Sequence, residues 1–225
     1  MPGREIRFTN GGIYHVFNRT VDAKRIFVQK KLCLSFLDAI KYYRSQNSKI
    51  SMSRLRDLLP DDRKIIEKSV LFKTSFRVHV LAYCLMPTHF HFLLQQKKSD
   101  GIQKVLSDVV NSFTQYFNRA TKRRGPLFMP RFKAVQVLND AQLMHVSRYI
   151  HLNPYSARQI KSKEEIEQYP YSSFSQYIHG TRSDITHPEK VLELFSNNPQ
   201  AYKSFVIQNA DYQQTLEHVK YTYKW

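Results

Sequence analysis

The chain has 225 residues, which is enough for one substantial core with an appendage or for two small domains. Its 35 lysines and arginines exceed its 18 aspartates and glutamates and give a formal charge of +17, which argues against an enzyme of small neutral metabolites and favours a polyanionic partner. Cys33 and Cys84 have no metal-type spacing, and no apolar stretch approaches the ~18 residues that a membrane span needs, so we expect a cytoplasmic protein in a reducing compartment.

Hydrophobic periodicity predicts a strand, a helix and a polar insertion in the first third of the chain. Residues 12–20 alternate as a strand does, and apolar residues recur at helical spacing over residues 30–44. An insertion over about residues 48–74 is charged and rich in serine. Within it, residues 51–67 predict two short helices at the surface.

A hairpin and a long helix are predicted next. Residues 76–86 alternate as a second strand, and the pair at 87–88 turns the chain into a third. Apolar residues over 102–117 trace one stripe of a helix, for which Ser99 or Asp100 is the expected N-cap.

The remaining elements of the core are a basic loop, a strand and a helix. The loop occupies residues 122–130 and the strand residues 132–137. We expect Asp140 to cap the following helix and Pro154 to end it, because proline removes a backbone donor.

The order β, α, insertion, β, β, α, β, α predicts an α+β sandwich related to the ferredoxin-like arrangement, with a mostly antiparallel sheet and helices on one side. We expect one domain over residues 1–180 and a C-terminal helical tail over residues 181–225 that docks on it. Apolar residues at helical intervals after Pro188 support the tail.

Two histidines begin the third predicted strand. Side chains at positions i and i+2 of a strand leave the same face about 7 Å apart, so His89 and His91 could chelate one divalent ion. The alternative is a buried hairpin that carries two histidines without a metal.

A phenol and an amide lie side by side on the last predicted helix of the core. At 100° per residue, Tyr149 and Asn153 occupy the same flank, one turn apart, and His151 projects from the other flank. The direction of Asn153 is less fixed, because a residue before proline is pushed out of helical geometry.

Six segments in the chain form an ordered set. They are Tyr14-His-Val-Phe-Asn-Arg, Tyr83-Cys-Leu-Met-Pro-Thr-His-Phe-His-Phe-Leu-Leu, Tyr116-Phe-Asn, Arg131-Phe-Lys, Ser147-Arg-Tyr-Ile-His-Leu-Asn-Pro-Tyr and Tyr169-Pro-Tyr-Ser-Ser-Phe. This set resembles the HUH (His-hydrophobe-His) single-tyrosine transposases, and in particular the REP-associated, IS200-like ones, over about residues 10–178. The chain departs from that pattern in its longer insertion and at Met129-Pro130, where Gln-Gly is common.

The resemblance implies that His89 and His91 bind a divalent ion, Mg²⁺ or Mn²⁺, that Tyr149 is the nucleophile and that Asn153 completes the metal shell. It further implies an HUH sandwich and a metal-dependent endonuclease and strand transferase. The enzyme would act in DNA transposition or REP-hairpin processing through a 5′-phosphotyrosine intermediate. The expected partner is single-stranded or hairpin DNA, with the protein near the nucleoid as a monomer or homodimer.

Two other functions are weighed against this one. The first is a domesticated nucleic-acid-binding protein with the same fold and no transposition. The second is a two-histidine RNA phosphoesterase, which requires a second His-x-Ser/Thr motif that the sequence does not supply.

Each predicted role has rivals. Tyr116 lies in an apolar stripe and is expected to be structural, whereas Tyr155 follows a proline and has a less fixed backbone. His145, one turn before Tyr149, is a candidate phosphate or metal contact, and His15 is expected to be packed.

Basic residues cluster around one loop. They are Lys122, Arg123, Arg124, Arg131 and Lys133. Phe128 and Phe132 are interleaved with them, a pattern that suits phosphate contacts and base stacking on DNA. Arg19 and Arg148 lie nearer the predicted catalytic residues and are candidates for contact with the phosphate.

Overall fold

The computed structural model of the protein describes residues 6–180 and 184–222. Its elements are β1 (Ile13–Arg19), α1 (Lys30–Tyr43), α2 (Met52–Arg56), α3 (Pro60–Ser69), β2 (Val78–Met86), β3 (His89–Gln96), α4 (Gly101–Ala120), β4 (Lys133–Val137), α5 (Asp140–Ser156), α6 (Phe174–His179), α7 (Glu189–Leu192), α8 (Pro199–Ile207) and α9 (Ala210–Thr222). The strands form one largely antiparallel sheet in the order β2-β3-β1-β4. The predicted α+β class and element order are confirmed. Across the described ranges, no helix is both long and apolar enough to cross a bilayer.

Asp100 occupies the predicted N-cap position of α4, whereas the predicted cap of α5 is wrong by one residue. Asp100 precedes α4 with a φ of 56°, and its side chain makes no capping hydrogen bond. That left-handed backbone differs from the extended conformation of a capping residue. Asn139, rather than Asp140, caps α5, since its side-chain oxygen accepts from the Gln142 N–H at 2.9 Å. Asp140 instead occupies the first turn, where its charge faces the positive end of the helix dipole.

Helix α5 continues past Pro154, contrary to prediction, and ends at Ser156. Pro154 has no N–H to donate to the carbonyl of Ile150. The amide nitrogen of Asn153 donates to the Tyr149 carbonyl at 2.8 Å and approaches the Ile150 carbonyl at 3.5 Å. The approach to the Ile150 carbonyl supplies a donor where the backbone lacks one, and α5 continues for two residues beyond Pro154.

The chain packs as two compact units that alternate along the sequence. The first contains the residues up to His79, Pro87–His89 and Leu94–Gln136. The second contains Val80–Met86, Phe90–Leu93 and the residues from Val137 onward. The predicted domain boundary near residue 180 stays a prediction.

Four buried phenylalanines form the centre of the first unit. The Phe36 ring meets Phe27 at a centroid distance of 5.0 Å and Phe113 at 5.1 Å, both edge-on. Phe128 lies 5.9 Å from Phe36. Edge-to-face pairs contribute about 0.5–1.5 kcal/mol beyond area burial, so this cluster fixes α1, α4 and the end of the basic loop against one another.

Arg77 anchors the start of the insertion within the first unit. Its guanidinium donates to the Ser45 carbonyl, to the Tyr43 carbonyl at 3.3 Å and to the Ser48 hydroxyl at 3.2 Å. The predicted pair of short helices is confirmed as α2 and α3. Ser51 caps α2 by accepting from the Arg54 N–H at 3.2 Å, as serine at an N-cap commonly does.

Gly101 permits a close approach between the start of α4 and Arg77, the residue that precedes β2. A Cβ at this position would collide with the carbonyl oxygen of Arg77. The same carbonyl accepts from the N–H groups of Lys97 at 2.8 Å and Lys98 at 3.2 Å. A side chain at position 101 would therefore displace the segment that holds Arg77 in place.

A buried histidine organises the second unit. His151 Nδ1 lies 2.7 Å from the Tyr202 hydroxyl, and its Nε2 lies 2.8 Å from the Ser173 hydroxyl. Ser173 in turn accepts from the Tyr83 N–H at 2.9 Å. Burial lowers the pKa of His151 to about 3, so the imidazole is neutral and uses one nitrogen as donor and the other as acceptor.

Replacement of His151 by glutamine should flatten the acid dependence of stability. The unfolded chain binds a proton on this histidine below its usual pKa of 6.5, whereas the folded chain does so only near pH 3. The free energy of unfolding therefore falls as pH drops through this window, by at most about 1.4 kcal/mol per pH unit.

Urea unfolding of both proteins between pH 7 and pH 4 provides the measurement. Buried His15, whose pKa is also lowered by burial to about 4, contributes equally to both curves and cancels in the difference. Parallel pH dependences for the wild type and H151Q would contradict a neutral buried His151.

Candidate active site

Tyr149 and His91 lie next to each other in the second unit. Their ring centroids are 5.7 Å apart and their planes are nearly perpendicular, at 87°. His91 is buried on β3, whereas Tyr149 is half-buried on the flank of α5. The predicted nucleophile and one predicted metal ligand, far apart in sequence, are thus brought together.

Two amide side chains hold the backbone at Tyr149. Its carbonyl accepts from Asn153 Nδ2 at 2.8 Å and from Gln213 Nε2 at 3.1 Å. Since the nitrogen of Asn153 is engaged by the helix, its amide oxygen is the atom that can coordinate a cation. Sequence reasoning missed Gln213, because nothing in the tail's periodicity indicates which polar residue of α9 faces α5.

His89 lies at the start of β3, in the part that belongs to the first unit. Its side chain is half-buried, and its Nδ1 lies 3.0 Å from the Thr88 hydroxyl. Hydrogen bonds of this type fix the ring orientation of metal-ligating histidines. Alternation along β3 gives His89 and His91 the same face of the strand.

The donor set predicted for a metal is two imidazoles and an amide oxygen. Among the residues that the structure describes, no three His, Cys, Asp or Glu side chains cluster closely enough to form a metal site by themselves. Imidazole and amide donors suit Mn²⁺ or Mg²⁺ when phosphate oxygens complete the shell, so the residue chemistry fits such an ion.

Three other tyrosines of the second unit have surroundings that disfavour a phenolate. The Tyr155 hydroxyl donates to Asp211 Oδ1 at 2.7 Å, and this hydrogen bond raises the pKa of Tyr155. Tyr202 and Tyr177 are fully buried, and burial raises the pKa of both. Tyr116, in the first unit, lies under the Arg56 guanidinium, 5.4 Å from its carbon to the ring centre.

His145 and Arg148 interact with each other on α5. The Arg148 guanidinium lies 2.8 Å from His145 Nδ1 and stacks over the Phe205 ring at 4.4 Å. Partial burial lowers the pKa of Arg148. These contacts connect α5 to α8, so packing accounts for at least part of the role of both residues.

Four of the predicted DNA-binding residues, Lys122, Arg124, Arg131 and Lys133, have exposed side chains around the basic loop, and Arg19 is exposed at the end of β1. Arg123 differs from these, because its guanidinium donates to Asn118 Oδ1 at 3.1 Å and to the Pro126 carbonyl at 2.7 Å. It shapes the loop from within.

The two interleaved phenylalanines behave differently from expectation. Phe128 is only 3% exposed and belongs to the aromatic core of the first unit, so the prediction that it stacks on bases is wrong. The core buries the apolar surface of Phe128, as is common for phenylalanine. Phe132 is half-buried and stacks with Phe8 at 6.2 Å.

Comparison with known proteins identifies a family model and solved structures to which the chain is similar. Residues 59–153 match the model of the family described as transposase IS200 like. The chain is 15% identical to a REP-associated tyrosine transposase, whose structure is bound to a REP hairpin, with a TM-score of 0.54 over 83% of this chain and 92% of that one.

A crystal structure of a candidate transposase from Deinococcus radiodurans R1 is also 15% identical, with a TM-score of 0.37 over 67% of this chain and 95% of that one. No curated protein matches the chain. Residues 59–153 are thus similar to the IS200-like transposase family, and the fold of the chain is that of a REP-associated tyrosine transposase.

Proposed function

We propose that the protein is a metal-dependent single-stranded DNA endonuclease and strand transferase in which Tyr149 forms a 5′-phosphotyrosine intermediate. The match to the family model supports a general role as a DNA-processing transposase. The specific mechanism is supported by the contact between Tyr149 and His91, whose ring centroids are 5.7 Å apart. This contact brings the proposed nucleophile next to a proposed metal ligand within one unit.

The chemistry explains why a phenol needs such a neighbour. With an ordinary pKa of about 10, only ~0.1% of a tyrosine is ionised at pH 7, a deficit of ~4 kcal/mol. A divalent cation supplies Lewis-acid polarisation of the scissile phosphate and neutralises its developing charge. We assign His89, His91 and the amide oxygen of Asn153 as the protein donors for that cation.

Tyr149 carries out a transesterification. A bond forms between its phenolic oxygen and the phosphorus, and the bond from phosphorus to the 3′-oxygen breaks. The phenolic proton is lost to solvent and the leaving 3′-oxygen gains one, so a free 3′-hydroxyl and a 5′-phosphotyrosine result. The phosphodiester energy is kept in the covalent intermediate for rejoining.

The held backbone of Tyr149 supports this assignment. Asn153 and Gln213 both donate to its carbonyl, which fixes the helical turn that carries the phenol. A nucleophile on a helix supported in this way needs little reorganisation before in-line attack. The Tyr155 carbonyl also accepts from an amide, Gln214 Nε2 at 2.9 Å, so the two tyrosines differ in the phenol, which in Tyr155 is committed to Asp211.

Exposed cations suit a DNA partner. Arg19, Lys122, Arg124, Arg131 and Lys133 would contact phosphates, while Arg123 and Arg148 act through the loop and the helix that they hold. By analogy with the hairpin bound to the matched structure, we propose an imperfect DNA hairpin with single-stranded flanks as substrate.

Tyr149→Phe should abolish the covalent adduct and leave DNA binding intact, because the ring packing against His91 survives without the hydroxyl. Denaturing electrophoresis with labelled single-stranded DNA from the flanks of the gene, in Mg²⁺ or Mn²⁺, measures the adduct. Tyr155→Phe is the matched control on the same helix and should retain it.

Persistence of the adduct in Y149F would move the nucleophile to another tyrosine. DNA binding by the wild type without any adduct, across hairpin and mismatched substrates, would favour the domesticated binding protein instead.

His89→Ala and His91→Ala should each lower cleavage at least 100-fold and weaken its dependence on Mn²⁺ concentration, because each removes one donor from the cation. Cleavage rates across a Mn²⁺ titration provide the test, with His145→Ala as the histidine control on α5. Full wild-type activity in excess chelator would reject the metal role.

A further inference from the structure

We propose that a cleft between the insertion and α4, within the first unit, binds one nucleotide of single-stranded DNA. Its base would stack on Tyr116 and its phosphate would contact Lys49, Arg56 and Arg119. The proposal rests on the proposed function in taking DNA as the source of the nucleotide. The cleft itself is separate from Tyr149 and His91, which belong to the second unit.

The cleft has the size of a small-ligand site. Its volume is about 450 Å³, within the range of about 300–1,000 Å³ that is typical of such sites. Residues 48–53 of the insertion line one side, and residues of α4 from Lys104 to Arg119 line the other. Without the insertion this wall would not exist.

The charges that line the cleft favour an anion. Its cationic side chains are Lys49, Arg56, Arg77, Lys104 and Arg119. Asp108 is the one acidic side chain among the described lining residues, and Lys104 pairs with it at 3.0 Å. Arg77 is committed to carbonyls of the chain. The positive charge of Lys49, Arg56 and Arg119 therefore exceeds what the cleft itself neutralises.

An aromatic ring and a guanidinium meet at the rim of the cleft. The Arg56 carbon lies 5.4 Å from the centre of the half-buried Tyr116 ring. Nucleotide bases stack on aromatic rings such as that of Tyr116, and such stacking tolerates any base, while the adjacent guanidinium is placed to contact the phosphate. Polar side chains nearby, Asn111 and Gln115, could bond to base edges.

The wall formed by the insertion is held in place by hydrogen bonds. Arg77 binds the Tyr43 carbonyl and the Ser48 hydroxyl, the Tyr43 hydroxyl accepts from the Met52 N–H at 3.0 Å, and Ser51 caps α2. Such anchoring reduces the ordering cost of binding, so the cleft is preformed for a ligand.

The test is DNA binding by the double variant Y116L/R56Q in a Y149F background, which removes cleavage from the readout. The probes are a labelled hairpin with single-stranded flanks, the same hairpin without flanks, and a free deoxynucleoside monophosphate. Arg54→Gln, an exposed cation of α2 outside the cleft, is the matched control.

We expect Y116L/R56Q to weaken binding of the flanked hairpin roughly tenfold, to leave the flankless hairpin unaffected, and R54Q to stay close to the parent. If the parent binds the monophosphate and Y116L/R56Q does not, the result would also support the site and would identify a free nucleotide as its ligand. Equal affinities of parent and double variant for both the flanked hairpin and the monophosphate would overturn the proposal.

If the double variant fails to fold, Arg119→Gln alone provides the test. This substitution of an exposed residue should reduce the salt dependence of flanked-hairpin binding by about one phosphate contact. An unchanged salt slope would then overturn the proposal. Failure of the proposed transposase chemistry is distinguishable from failure of the cleft proposal. The first is measured as the absence of a Tyr149 adduct in the chain with native Tyr149, and the second as DNA binding in the Y149F background.

Discussion

The contact between the Tyr149 and His91 rings is the interaction on which the functional account depends. Helix α5 carries the Tyr149 ring, and Asn153 steadies this turn by donating to the Tyr149 carbonyl. Gln213 reinforces the same carbonyl from α9. The proposed metal donor Asn153 is therefore also part of the support for the proposed nucleophile, so we expect changes at Asn153 to affect both.

Contacts and burial divide the basic residues into two classes. Arg77, Arg123 and Arg148 hold the chain through carbonyls, an amide and an aromatic ring. Exposed cations such as Arg124 and Lys133 remain available for phosphates. This division explains how a chain of charge +17 can form two cores and still present exposed positive charge.

Local pattern predicted most elements because alternation and helical periodicity are strong in β1, β2, α1 and α4. It failed at Pro154, where the Asn153 amide approaches the Ile150 carbonyl that the proline leaves without a backbone donor. It also misassigned Phe128, since a sequence does not reveal which aromatic side chain the core will bury. The roles of Gln213 and of the cleft beside Tyr116 depend on tertiary contacts, which no spacing rule reports.

Mass spectrometry of the trapped protein–DNA adduct tests the central claim most directly. Trypsin releases residues 149–158 as one peptide, which contains both Tyr149 and Tyr155, and fragmentation distinguishes the two. The account predicts a 5′-phosphonucleotide on Tyr149. A nucleotide on Tyr155, or on any peptide outside this segment, would contradict it.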